Sequence, residues 1–339
     1  PKYMTISKAY KKILSELKMR KPLAIILIDY PGFNLRLLKD AYNLGITTIY
    51  HIPPKAWSHG EHRADVLKNF SYLVTGILPF EFDFFKSKDV NIKFIGNPLK
   101  DNVEEYISAH RVQKEPYKIG ILPGSRESEL KKLLPILIEA FVELEKAENK
   151  VVAHIPIAST ISKKFAYNLI YEIKNKYGLH DDWFHEKIKI GFGNAYEVLN
   201  SCEYAWVCSG TATLEAAFFS TPMSVMYKVS PLTYYLAKKY LKIKYVSLVN
   251  LCTKKETIPE FLQGQANVKN LIDHALSILK NKEAKQKMMA ELSVIKELFP
   301  QNAAKNAASE IVQCILKYNL PPEVKFHVHH KTIAESLYE

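Results

Sequence analysis

Three short stretches of this chain place chemically capable residues where a strand would give way to a helix. The first is Asp29-Tyr30-Pro31-Gly32-Phe33-Asn34. A carboxylate there can accept a proton from a substrate hydroxyl. It can equally cap the helix that follows, because Asp favours that position. The second is Pro123-Gly124-Ser125-Arg126, followed by Glu127-Ser128-Glu129-Leu130. Gly permits a tight turn, Ser can cap a helix and Arg offers phosphate a forked contact. Free N–H groups and the helix dipole favour an anion at such a turn. The GxxxxGK[ST] pattern of a P-loop is absent. A capped helix with a solvated Arg is the plain alternative.

The third stretch is Ser209-Gly210-Thr211-Ala212-Thr213-Leu214-Glu215. Its small, hydroxyl-rich turn makes a second anion site. Glu215 stands about one helical turn in, where a carboxylate can accept hydrogen bonds from ribose hydroxyls. Two phosphate-type turns in one domain suit a nucleoside diphosphate; two capped helices without a ligand are the alternative. Gly191-Phe192-Gly193-Asn194 begins like a dinucleotide fingerprint but lacks the third glycine, and reads as a turn. His327, His329 and His330 could bind a metal, although a polar tail explains them more simply. Cys202, Cys208, Cys252 and Cys314 form no CxxC pair and no zinc spacing, which predicts buried free thiols in a reducing cytoplasm.

These turns need elements to position them. Short apolar runs at 23–28, 47–51, 72–77, 92–95, 118–122, 151–156, 187–190, 204–208 and 223–227 predict strands. Helical periodicity at 34–43, 127–146, 162–176 and 211–220 separates them, and 268–318 reads as helical throughout. The alternation predicts an α/β fold with parallel sheets covered on both faces, in two doubly wound domains. The expected boundary is the polar stretch 111–116. It gives a first domain at 1–115, incomplete at its start, a second at 116–300 that carries both phosphate-type turns, and a C-terminal helix and tail at 301–339. The chain opens on Pro1, so the front of the natural protein is expected to lie outside this sequence.

With 339 residues, 47% of them hydrophobic, the chain can bury two cores and is neither disordered nor of low complexity. No apolar run is long enough to cross a bilayer, and no signal-peptide pattern opens the chain. The net charge of +12 favours anionic partners. The lysines are spread rather than gathered in a tail, and no nucleic-acid module is visible. Met4, Ile6, Tyr10, Ile13, Leu14 and Leu17 recur at helical spacing with lysines on the other face. They predict either a helix lying on an anionic membrane or an amphipathic helix packed on the first domain.

At this point the sequence resembles the lipid-A-disaccharide synthases. The carrying runs are Ile-Leu-Pro-Gly-Ser-Arg-Glu-Ser-Glu-Leu at 121–130 and Ser-Gly-Thr-Ala-Thr-Leu-Glu-Ala-Ala at 209–217. Val-Ser-Pro-Leu-Thr-Tyr at 229–234, Tyr-Val-Ser-Leu-Val-Asn at 245–250 and Ile-Pro-Glu-Phe-Leu-Gln at 258–263 follow in order. The first domain adds 28–34, Leu-Pro-Phe-Glu at 78–81 and Phe-Ile-Gly-Asn-Pro-Leu at 94–99.

The resemblance implies the GT-B fold, two Rossmann-like domains facing a cleft, and inverting transfer of 2,3-diacylglucosamine from UDP to the 6-hydroxyl of 2,3-diacylglucosamine 1-phosphate. It implies no metal and no cofactor. The partner is the anionic inner face of the cytoplasmic membrane of a Gram-negative-type bacterium, nucleic acid is not a partner, and a homodimer is allowed. It makes Asp29 the base and Arg126 the stabiliser of the leaving diphosphate. Gly124, Ser125, Ser209, Gly210, Thr211, Glu215, Asn250 and Gln263 become donor-binding. The sequence departs from the family at Gly32, at His59 and Gly60, and at Asn97, and it lacks the Gly-rich loop that opens the family. Another UDP-sugar enzyme of this fold, or a non-catalytic paralog that binds nucleotide or lipid, therefore stays open as an alternative.

Overall fold

The computed structural model describes residues 2–230, 234 and 244–320, with side chains from residue 4 onward. The chain divides into two compact units, one made of Pro1–Pro98 and Phe299–Glu339 and the other of Leu99–Leu298. In the first unit, α1 (Lys2–Arg20) leads into β1 (Ala24–Ile28), α2 (Pro31–Asn43), β2 (Thr47–His51) and α3 (His62–Phe70). Next come β3 (Leu73–Gly76), α4 (Pro79–Lys86) and β4 (Ile92–Phe94). The four strands are parallel, in the order β1-β2-β3-β4.

The apolar runs form strands because both faces of the sheet's interior are covered. Leu27, Tyr50, Val74 and Phe85 share one buried cluster with Leu37, Leu38 and Ala41 of α2. Ile49 and Leu73 pack with Cys314 of the unit's last helix, Ala303–Asn319. β1 lies at the sheet's edge among the described residues, so Ile26 and Ile28 stay exposed although they belong to an apolar run.

The second unit begins with α5 (Pro98–Ala109) and β5 (Glu115–Leu122), so the break falls ahead of the polar stretch 111–116. It continues with α6 (Glu127–Ala147), β6 (Val152–Ile157), α7 (Lys163–Lys176), α8 (Asp181–Lys187) and β7 (Ile188–Phe192). Then follow α9 (Ala195–Ser201), β8 (Cys202–Cys208), α10 (Thr211–Phe218), β9 (Met223–Tyr227) and α11 (Leu248–Thr253). β10 (Glu260–Leu262), α12 (Val268–Leu279) and α13 (Lys282–Glu297) complete it, and the Ala303–Asn319 helix is α14.

The six strands are parallel in the order β10-β9-β8-β5-β6-β7. β5 therefore has β6, its successor, on one side and β8 on the other. The connections leaving β5 and those leaving β8 run in opposite senses along the sheet, which makes the β5–β8 junction a topological switch point. Ligands of open α/β sheets settle outside the strand carboxyl ends at such a junction.

All nine strands expected from the sequence are present; β10 was not expected. It is three residues long and carries Glu260, whose carboxylate accepts the Val246 and Ser247 amides at 2.7 and 2.9 Å. The cysteines Cys202, Cys208, Cys252 and Cys314 are buried free thiols. Among the described residues, no helix is long and apolar enough to cross a membrane. His327, His329 and His330 lie outside the described residues.

The apolar residues of α1 do not share one outward face. Leu17 is buried, and the Tyr10 hydroxyl donates to Asp40 while its ring meets Phe33 edge-on at 5.4 Å. These two serve the first unit's own core and are not free to enter a membrane. Leu14 is half-buried; Met4, Ile6 and Ile13 remain exposed, with Met19 beside them.

Candidate functional site

Asp29 ends β1 in the left-handed backbone region, with φ 46°, and Tyr30 follows at φ 43°. Two successive residues there are strained, and such strain persists only where surrounding bonds impose it. Here the Asp29 amide donates to the His51 carbonyl at 2.9 Å. The Asp29 carbonyl accepts the Tyr50 hydroxyl at 2.7 Å and the Asn34 side-chain amide at 2.8 Å. Tyr30, not Asp29, holds the cap position of α2, and no side chain caps it. The bonds therefore fix the backbone and leave the carboxylate exposed at a strand's carboxyl end, unoccupied by any hydrogen bond among the described residues. That arrangement suits a base better than a cap.

A second carboxylate in this unit was missed by the sequence reading. Glu81 lies in the first turn of α4 with only 3% of its surface exposed. Trp57 Nε1 donates to its Oε1 at 3.1 Å, and its Oε2 has no hydrogen-bond partner. Burial pushes its pKa up to about 7; the Trp57 bond and the Lys55 charge oppose this, and the Asp29 charge adds to it. Glu81 ends the Leu-Pro-Phe-Glu run at 78–81, but its burial against Trp57, 24 residues away, has no local signal.

In the second unit the two expected phosphate turns come together. Leu122 of β5 pairs directly with Val207 of β8, so Pro123–Arg126 and Ser209–Thr211 leave adjacent strands at the switch point. The charges of Glu129 and Arg126 both act on the Cys208 thiol, whose pKa burial first pushes up to about 12. Gly210, at φ 150°, takes a backbone conformation open to glycine alone, and a side chain there would meet nothing within 4 Å. Gly210 and Thr211 are exposed at the start of α10, where the first helix amides have no helical acceptor. Ser209 is differently placed: its amide donates to the Met226 carbonyl at 3.3 Å and its hydroxyl to Val246 at 3.2 Å. It anchors the turn, and its amide is occupied.

Glu215, one turn along α10, is largely buried, which raises its pKa, and a hydrogen bond from Tyr196 opposes the rise. The Tyr196 hydroxyl is pushed up to about 12. Asn250 does not line a ligand site. It is fully buried; its Nδ2 donates to the Ile258 carbonyl and to Glu260, both at 2.8 Å, and its Oδ1 accepts the amides of Thr257 and Ile258. Every hydrogen-bonding position of that amide is taken, so Asn250 ties α11 to the segment 257–260. Gln263 is partly spent in the same way: its Oε1 accepts the Val229 amide at 3.0 Å, and its Nε2 reaches the Val229 carbonyl at 3.4 Å. Residues 231–233 of the 229–234 motif lie outside the described residues.

Comparisons with known proteins bear on the fold and the family. A chain from Neisseria meningitidis, a UDP-GlcNAc 2-epimerase bound to UDP-GlcNAc, superposes with a TM-score of 0.60 at 12% identity. The match covers 91% of this chain and 81% of that one. A UDP-forming α,α-trehalose-phosphate synthase from Burkholderia xenovorans gives 0.54 at 10% identity, over 94% and 80% of the two chains. At such identity the likeness speaks for the GT-B-like fold alone. Sequence relatives say more. The lipid-A-disaccharide synthase of Sulfurihydrogenibium sp. is 32% identical over 93% of this chain and 83% of its own length. That of Nitrosococcus oceani is 30% identical over 92% and 79%. The profile of the family described as lipid-A-disaccharide synthetase matches residues 1–315. With the family's Pro-Gly-Ser-Arg and Ser-Gly-Thr turns set side by side at the switch point, the chain belongs to the lipid-A-disaccharide synthase family, and is a glycosyltransferase of lipid A biosynthesis.

Proposed function

We propose that the chain transfers 2,3-diacylglucosamine from UDP to the 6-hydroxyl of 2,3-diacylglucosamine 1-phosphate, inverting the anomeric carbon. The observation that carries the mechanism is the meeting of two helix-opening turns at the β5–β8 switch point, with Glu215 one helical turn beyond. The amides of Gly210 and Thr211 and the guanidinium of Arg126 face the donor's diphosphate; Glu215, held by Tyr196, takes the ribose hydroxyls. In the other unit the Asp29 carboxylate accepts the proton of the acceptor hydroxyl. The hydroxyl oxygen bonds to the anomeric carbon, and the bond from that carbon to the β-phosphate breaks with its electron pair, releasing UDP. The negative charge that grows on the diphosphate meets preplaced donors, which lowers the barrier.

The test supplies both sugars in detergent with a chelator present and follows disaccharide phosphate. Product with stoichiometric UDP supports the reading. UDP binding without product supports a non-catalytic paralog, and a different product supports another UDP-sugar enzyme. The acylated substrates also favour a membrane surface, which the exposed Met4, Ile6, Ile13 and Met19 and the lysines of α1 would meet. Replacing Lys8, Lys11, Lys12 and Lys18 by Glu is expected to lower retention on vesicles rich in anionic lipid by at least tenfold, since each cation near such a surface is worth about 1 kcal/mol. Equal retention would leave α1 a purely packing role.

A further inference from the structure

We propose that Glu129 is a positioning residue of the donor-phosphate turn, pinning the turn's backbone through the Ser125 amide and orienting the Arg126 guanidinium toward the diphosphate. The inference rests on reading 123–126 as a phosphate site and assigns a residue which that reading leaves unused. Glu129 Oε2 accepts the Ser125 amide at 3.0 Å, and Oε1 accepts Arg126 Nη1 at 2.7 Å. One carboxylate thus ties the turn's backbone, whose Ser125 N–H it occupies, to the cation that faces an anion. It takes one donor of the guanidinium's fork, while the Arg126 side chain remains 76% exposed. An arginine tethered at one edge and open elsewhere is oriented without being consumed.

The turn is built around this contact. A Cβ at Gly124 would stand 2.5 Å from Glu129 Oε2 and 2.8 Å from its Cβ. Gly124, at φ 112°, is therefore glycine because of Glu129 as well as because of its backbone. The far side is held as well, since the Thr160 hydroxyl donates to the Ser125 carbonyl at 2.7 Å. Stability alone accounts poorly for the pair: it joins residues three apart, with the cation mostly in water, where ion pairs contribute little. Its effect lies in preorganisation, which limits the ordering that binding would otherwise require.

The test is a double-mutant cycle on UDP affinity by calorimetry, with unfolding midpoints for each variant. Glu129→Ala is expected to weaken UDP binding about tenfold in the parent, the size of coupling seen between contacting groups. In the Arg126→Ala background the same change is expected to weaken binding only about threefold, because the turn's backbone is then all that Glu129 holds. A purely structural Glu129 would weaken binding equally in both backgrounds, and a Glu129 that competes with phosphate would tighten it; either result overturns the proposal. Should Glu129→Ala fail to fold, Glu129→Gln, which can still accept the Ser125 amide but carries no charge, should weaken binding about threefold; parental affinity there overturns it too. Arg126→Ala with parental UDP affinity would instead remove the phosphate reading itself.

Discussion

Asp29→Asn is expected to abolish nearly all transfer while leaving UDP affinity and folding unchanged. General-base assistance contributes about 10²–10⁴-fold, and an amide cannot supply it. The choice of Asn matters. Asp29 sits at φ 46°, where Asn is among the few residues at ease, whereas Ala there costs roughly 1–2 kcal/mol. The bonds that fix this backbone run from Tyr50, Asn34 and the Asp29 amide, and none involves the carboxylate. An Asn variant should therefore unfold at the parental denaturant concentration. Turnover within tenfold of the parent would discard Asp29 as base and leave the reaction assignment standing.

The second large effect concerns Glu81 and runs opposite to the usual carboxylate. Its pKa in the folded protein is raised, from an ordinary 4.5 to about 7, chiefly by burial. A group raised in this way contributes its stability fully below the unfolded value near 4.5, and loses it as pH climbs through 7. At pH 8 the folded chain holds a buried, half-satisfied anion, at a cost on the order of 3 kcal/mol. Glu81→Gln keeps the shape and an acceptor for Trp57 but cannot ionise. It should match the parent at pH 4.5 and exceed it by several degrees of melting temperature at pH 8. A difference that does not change between those two pH values would refute the assignment.

How far the sequence could be read follows from where each signal resides. Strands and helices announce themselves in runs of neighbouring residues, so nine strands were legible. The tenth was not, because it is three residues long and its first, Glu260, serves the Val246 and Ser247 amides rather than an apolar face. Asp29 and the two turns were legible because a strand-turn-helix sequence is local. The bonds from Trp57 to Glu81 and from Arg126 to Glu129 needed coordinates: a hydrogen bond has no periodicity to read. Asn250 shows the reverse error. Its type and motif suggested a ligand contact, yet four internal hydrogen bonds, invisible in sequence, exhaust it. Leu17 and Tyr10 took the packing alternative of α1, a choice left open by periodicity, which tells that a helix has an apolar face without telling what covers it.

The division of the chain also fixes an order of events during synthesis. The second unit is one uninterrupted stretch, Leu99–Leu298, whereas the first unit is closed by a helix that emerges only at Ala303–Asn319. Asn319 reaches Thr47 across 272 residues, and Asn306 reaches the Ile95 carbonyl across 211. Such closures form late, because the connecting chain must be gathered before any contact rewards it. The inserted unit can complete its six-stranded sheet while the four-stranded one, though made first on the ribosome, still waits for Cys314 to cover Ile49 and Leu73. The part of the protein that carries Asp29 is thus the last to become whole.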